Sequence, residues 1–143
     1  MSGVRYKVFP GAPLAFTERE PSHYTDTAGL PRWCEVYDDF TRQIITSMAE
    51  FFVKSPVRSF LSVPLFVLTD QGFDEDTVDP IGVLNIHSSQ TGLLKGGGEP
   101  LTHFTSIIRP FQIFLVQLLI LLHPEYAAVK SLTEVEESGK SDS

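Results

Sequence analysis

The sequence has little of what several large classes of protein require. Its 143 residues include one cysteine, Cys34, which excludes an internal disulfide and any metal site built from several thiolates. The 11 basic residues are scattered and the net charge is −7, whereas nucleic-acid binding depends on clustered lysine and arginine. We therefore expect a reducing, cytoplasmic environment and no nucleic-acid partner.

Catalytic and metal-binding motifs are also missing. The chain has no nucleophile elbow with Ser, His and Asp in order, no His-x-x-x-His pair and no phosphate-binding loop before a helix. The acidic segment Asp70–Asp79 lacks the spacing and the glycine of a calcium loop, so we expect a solvated turn there. We predict no enzyme activity and no metal, and the sequence identifies no cofactor.

A signal peptide and a membrane span are not predicted either. Met1–Lys7 has no apolar core of signal-peptide length. Phe111–Leu122 is apolar apart from Gln112 and Gln117, but a membrane span needs about 20 apolar residues. Because its apolar residues surround the whole helix, a sheet on one side and a second helix on the other are expected to cover it. That second helix comes from this chain or from another copy.

The composition is that of one compact domain, with 42% hydrophobic and 20% charged residues. We predict this domain over residues 1–125 and a disordered acidic, serine-rich tail over 126–143. Hydrophobic periodicity and turn residues predict the elements within it. They are a short strand at Val4–Phe9, an extended segment at Leu14–Asp26, one helix from Leu30 to Lys54, strands at Arg58–Thr69 and Ile81–Ser88, and a helix from about Pro100 to His123 that Arg109-Pro110 kinks or divides.

Polar side chains share one face of the two long predicted strands. Asn85 and His87 alternate with Leu84 and Ile86, and the purely apolar face should meet the helices. We therefore predict that Asn85 and His87 face a ligand pocket, with Ser62 of the neighbouring strand beside them. Such groups need hydrogen-bond partners, which a ligand would supply, or alternatively loop backbone or water.

Five further side chains complete the predicted ligand site. They are Tyr24, Trp33, Tyr37, Asp38 and Arg58. Trp33 and Tyr37 are four residues apart on a helix and form either a wall for a planar ligand or ordinary packing. The guanidinium of Arg58 suits a phosphate or carboxylate, and pairing with a nearby aspartate such as Asp26 is the alternative.

Two motifs in a fixed order are the most specific feature of the chain. They are Arg58-Ser59-x-Leu61-x-Val63-Pro64-Leu65 and Ile81-Gly82-Val83-Leu84-Asn85-Ile86-x-Ser88. A Gly11-x-Pro13-x-Ala15-Phe16 segment and an amphipathic helix precede them, and a long apolar helix follows. In this order, Phe9 to Leu122 resembles the GAF domain family. The resemblance implies an α+β fold in which a central antiparallel β-sheet has helices packed on one face and a small-molecule pocket on the other.

The resemblance also implies a function. GAF domains are typically regulatory modules that bind a small molecule, such as a nucleotide or metabolite, and signal through a C-terminal helix in a dimer. Here Phe111–Leu122 would form the homodimer contact, and a ligand-free dimerisation or protein-interaction module is the alternative. The family's signatures for bilin attachment, sulfoxide reduction and cyclic-nucleotide binding are absent. The domain also looks shortened, because the family usually has a helix and one or two strands before the Gly-x-Pro segment.

Overall fold

The computed structural model describes residues 8–36, 40–69, 72–73, 79–95 and 98–125. The helices in this part of the chain are α1 (Ala12–Glu18), α2 (Leu30–Val36), α3 (Arg42–Lys54) and α4 (Gly98–Leu122). The strands are β1 (Ser22–Tyr24), β2 (Ser59–Leu65), β3 (Leu68–Thr69), β4 (Gly72–Phe73) and β5 (Gly82–Ser88). The predicted tail and most of the predicted strand at Val4–Phe9 lie outside the described residues.

The sheet is antiparallel and has β2 in the middle, between β1 and β5. Its register aligns Ser22, Ser62 and Asn85 in one row across the strands. The next row on the same face, two positions along, aligns Tyr24, Phe60 and His87. β3 and β4 form a separate antiparallel hairpin. β3 ends just before the predicted acidic loop Asp70–Asp79, and β4 lies within that segment. Together with the helices, this arrangement gives the mixed α+β fold that the sequence predicted.

The hydrophobic core lies between the sheet and α4. Leu61, Val63 and Ile108 are buried together, and Leu84 and Ile86 of β5 pack against them. The prediction that Leu84 and Ile86 face the helix is therefore confirmed. Burial of these apolar side chains is the main stabilising contribution to such a fold.

α1 lies on the opposite face of the sheet. Gly11, which precedes α1, has φ of 93°, and a Cβ added there would lie 3.1 Å from the Phe60 ring. The Gly11 N–H donates a hydrogen bond to Ser22 Oγ at 3.2 Å. The predicted extended segment at Leu14–Asp26 is thus wrong in its first half, which belongs to α1. Pro13 lies in the first turn of α1, where its missing N–H removes no helical hydrogen bond.

The single helix predicted from Leu30 to Lys54 is also wrong, since the described residues form α2 and α3 separately. Thr41 precedes α3 with an extended backbone, and its Oγ1 accepts the N–H of Ile44 at 3.4 Å. This hydrogen bond is a helix N-cap, so a new helix begins there. In α4, by contrast, the predicted division does not occur, and the helix continues through Pro110.

The face of α4 that points away from the sheet is bare. Five of its exposed apolar residues are spaced alternately four and three positions apart, and we call them the outer seam: Ile107, Phe111, Phe114, Leu118 and Leu121. In length and composition alone, the 25-residue α4 could also cross a membrane. Core helices of soluble proteins meet the same criterion when they are mostly buried, whereas only 11% of the apolar window of α4 is buried here.

Candidate functional site

An aromatic row crosses the sheet on the face that carries α1. The Tyr24 ring lies 6.0 Å from Trp33 in a T-shaped arrangement and 5.4 Å from Phe60, centroid to centroid. Phe60 in turn lies 6.5 Å from the His87 ring. Such tilted and edge-to-face contacts are favourable between aromatic rings. The row thus connects three predicted site residues, Tyr24, Trp33 and His87, through Phe60, which was not predicted as a site residue.

A polar row lies beside the aromatic one. The buried Ser62 Oγ donates a hydrogen bond of 2.7 Å to Asn85 Oδ1. Ser62 and Asn85 are therefore together as predicted, but each is a partner of the other rather than of loop backbone. Asn85 and His87 are exposed on β5, and the Asn85 amide nitrogen has no hydrogen bond to any described residue. A molecule lying on β5 would meet this amide and the imidazole.

Arg58 is hydrogen-bonded to backbone carbonyls near the end of α3. Its Nη1 donates hydrogen bonds to the carbonyl oxygens of Phe52, Ser55 and Val57, at 3.1, 2.8 and 3.4 Å. Carbonyls at a helix C-terminus lack helical partners and favour a positive charge nearby. Arg58 thus caps the end of α3. The carboxylate of Asp26, an alternative partner, instead accepts a backbone N–H of the turn that follows it.

We expect Arg58→Met to lower the free energy of unfolding by about 1–3 kcal/mol, because backbone carbonyls at the end of α3 lose a charged donor. Urea denaturation of the purified protein measures this change. Arg32→Met, on an exposed position of α2, is the matched control and should have an effect below about 0.5 kcal/mol. Equal stability of the two variants would contradict a capping role for Arg58.

Two predicted site residues, Tyr37 and Asp38, lie outside the described residues. The aromatic wall proposed for Trp33 and Tyr37 therefore stays a prediction. Tyr24 and Trp33 line a cavity of about 320 Å³ together with Glu18, Glu20 and His23. Its lining does not include Ser62, Asn85, His87 or Arg58. The predicted residues therefore lie in separate places. The aromatic row connects Tyr24 and Trp33 with His87, and Arg58 lies apart at the end of α3.

A second, apolar groove of about 530 Å³ runs along α3 and was missed by the sequence analysis. Ile44, Met48 and Phe51 line it on α3, and Phe9 and Leu30 line it from outside that helix. The helical spacing of the α3 residues was visible in the sequence. What the spacing did not reveal is that no residue of α3 is fully buried and that Phe51 is 62% exposed.

The lone cysteine is structural in character. Cys34 is buried, and its Sγ lies 3.6 Å from Met48 Sδ. Burial raises the pKa of the Cys34 thiol, which leaves less of the reactive thiolate at neutral pH. Within the described part of the chain, no group of three or more His, Cys, Asp or Glu side chains could hold a metal ion.

The fold and these surfaces define an α+β domain with a long helix that is apolar on its solvent side. No model of a known protein family matches the chain, and no curated protein or solved structure shows significant similarity to it. The protein is therefore classified by its architecture, a mixed α+β domain.

Proposed function

We propose that this protein is a non-catalytic regulatory domain of the GAF type, which binds a small molecule and signals through α4 in a homodimer. The observation that carries the proposal is the outer seam. One helix contributes to the core on one side and presents a continuous apolar surface on the other.

The spacing of the outer seam is that of a helix that pairs with another helix. Alternate steps of four and three residues keep one apolar stripe on the same side of a helix, as in a coiled coil. Phe111, Phe114 and Leu121 are 66%, 63% and 77% exposed, and contiguous apolar surface of this kind marks a contact site. A second copy is the partner we propose, because two-fold symmetry brings the same stripe to both sides of the contact.

The proposed ligand surface on β5 lies on the opposite face of this strand from α4. Asn85 and His87 occupy one face of β5, and their neighbours Leu84 and Ile86 pack into the α4 core from the other face. A ligand that changes the position of β5 would therefore change the packing of α4. This spatial continuity supports the proposed direction of signalling.

A ligand-free dimerisation module is the second candidate, and two observations favour it. Ser62 and Asn85 already hydrogen-bond to each other, and the Arg58 Nη1 group is engaged by the end of α3. Polar groups that have hydrogen-bond partners within the protein, such as the buried Ser62, do not need a ligand to satisfy them.

A thermal-shift screen with nucleotides, cyclic dinucleotides, haem and common metabolites separates the two candidates. A ligand at a hundredfold excess over its Kd stabilises the folded state by about 2.7 kcal/mol. We expect at least one probe to raise the melting temperature of the wild type and to lose this effect in Asn85→Ala. The control Gln90→Ala removes an exposed amide just beyond β5 and should retain it. No shift with any probe, in a protein that is a stable dimer, would overturn ligand sensing and leave the dimerisation module.

A further inference from the structure

A cleft of about 260 Å³ lies between α4 and the part of β2 that extends beyond β1. β1 pairs with β2 only as far as Ser62, so β1 does not extend alongside Val63 and Pro64. The connection between α1 and β1 borders this opening with Arg19 and Pro21. We call this space the α4 cleft. It lies at the edge of the sheet beyond the end of β1, and its lining includes neither Asn85 nor His87.

Gln112 is the unusual residue of the α4 cleft. It lines the cleft from α4, is 8% exposed, and forms no side-chain hydrogen bond with any described residue. A primary amide carries two N–H donors and an acceptor oxygen, and nearly all such groups find partners when buried. Ile108 and Val116, one turn away on either side, are apolar. Within the described residues the Gln112 amide has no hydrogen-bond partner, so a molecule in the cleft, water or ligand, would supply one.

The hydroxyl groups along the same side of α4 offer acceptors. The hydroxyls of Thr105 and Ser106 both donate to the carbonyl oxygen of Thr102 at 2.9 Å, and Thr102 donates to that of Gly98 at 3.1 Å. Because each proton is used within the helix, the oxygen lone pairs are what these groups present to the cleft. A molecule that meets them must bring N–H or O–H donors.

Two guanidinium groups, of Arg19 and Arg109, also line the α4 cleft. Arg19 lies above the Phe66 ring at 5.8 Å and is 3.9 Å from the carboxylate of Asp79. Its backbone has φ of 62°, a left-handed conformation that usually favours glycine or asparagine. Guanidinium groups that line a cleft favour a carboxylate or phosphate there.

We propose that the α4 cleft binds a small organic acid that also carries amino or hydroxyl groups, such as an amino acid or a hydroxy acid. Its carboxylate lies toward the guanidinium groups, and its donors meet the hydroxyl oxygens and the Gln112 Oε1. The volume of the cleft is below that of sites for drug-sized ligands, which start at about 300 Å³, so a small molecule is the appropriate size. This site is distinct from the β5 surface and does not depend on it.

Titrations of the ¹⁵N-labelled full chain with L-serine, L-glutamate, malate and citrate test the proposal. The Gln112 side-chain amide is assigned by its disappearance in Gln112→Leu, and we expect it to shift saturably with at least one probe. Calorimetry with that probe should show binding weakened at least tenfold in Gln112→Leu and in Arg19→Asn. Asparagine tolerates the left-handed backbone at position 19, so this second variant keeps the test valid if the first fails to fold.

The matched control is Gln117→Leu, which makes the same change at an exposed position of α4 and should leave the affinity within twofold. No saturable shift with any of the four probes would overturn the proposal and assign the cleft to water alone, which polar cavities of this size can hold. Equal affinity in Gln112→Leu would overturn it too. The dimer and the effect of Asn85→Ala are measured separately, so a failure here is distinguishable from a failure of the proposed function.

Discussion

Phe114→Asp is expected to convert the proposed homodimer into a monomer. Phe114 lies in the centre of the outer seam and is 63% exposed in the isolated chain. In a two-fold contact this substitution places two carboxylates against an apolar surface with no partner, and burying such charges is costly. We expect the dissociation constant to rise at least 100-fold, which corresponds to about 2.8 kcal/mol. Sedimentation velocity across a concentration series measures the change.

Val53→Asp is the control for Phe114→Asp. Val53 is 78% exposed on α3 and does not belong to the outer seam, so the same charge there should leave the dimer intact. A wild type that stays monomeric at all concentrations, or a Phe114→Asp variant that still dimerises, would contradict the proposed contact. Flotation with phosphatidylcholine vesicles adds a further measurement. Vesicle binding by a monomeric wild type would show that a membrane, rather than a second copy, covers the seam.

Leu61→Ala is expected to cost about 2–5 kcal/mol of unfolding free energy. The Leu61 side chain is fully buried between Val63 and Ile108, where the sheet meets α4. Truncation removes apolar contacts and leaves a cavity that the surrounding strand and helix cannot fill completely. Because a domain of this size has a total stability of about 5–15 kcal/mol, the loss would be a large fraction of it.

Urea denaturation at a fixed protein concentration measures the loss, and the concentration is held constant because the proposed dimerisation would also contribute to stability. Val53→Ala truncates an exposed side chain of α3 and should change the unfolding free energy by less than about 0.5 kcal/mol. If Leu61→Ala behaved like this control, the core between β2 and α4 would not be the main source of stability.

The two long strands, β2 and β5, could be predicted well because their pattern is local. Alternation of polar and apolar residues places Leu84 and Ile86 opposite Asn85 and His87 whatever the rest of the chain does. The split of the Leu30–Lys54 segment was harder to predict. A threonine inside an apolar pattern is a weak signal for a helix start. Thr41 acts as an N-cap because its side chain accepts the Ile44 N–H in the folded chain.

The predicted site was harder to anticipate than the strands. The guanidinium of Arg58 suits an anion. In the folded chain, however, its Nη1 donates hydrogen bonds to backbone carbonyls at the end of α3. Gln112 was noted only as an interruption in an apolar run, because its burial depends on β2 lying against α4. Hydrogen-bond partners that come from other elements cannot be found from residue types and spacing.

The amino-acid sequence was sufficient to establish an acidic α+β chain with two adjacent strands and a long apolar helix at its C-terminal end. These properties follow from composition and from periods of two and 3.6 residues, which act over a few neighbouring positions. The tertiary structure decided which side of α4 meets the sheet, and hence that Gln112 is buried while Phe114 is bare. It decided this because burial is a property of elements packed together, and each helix alone exposes all of its faces equally.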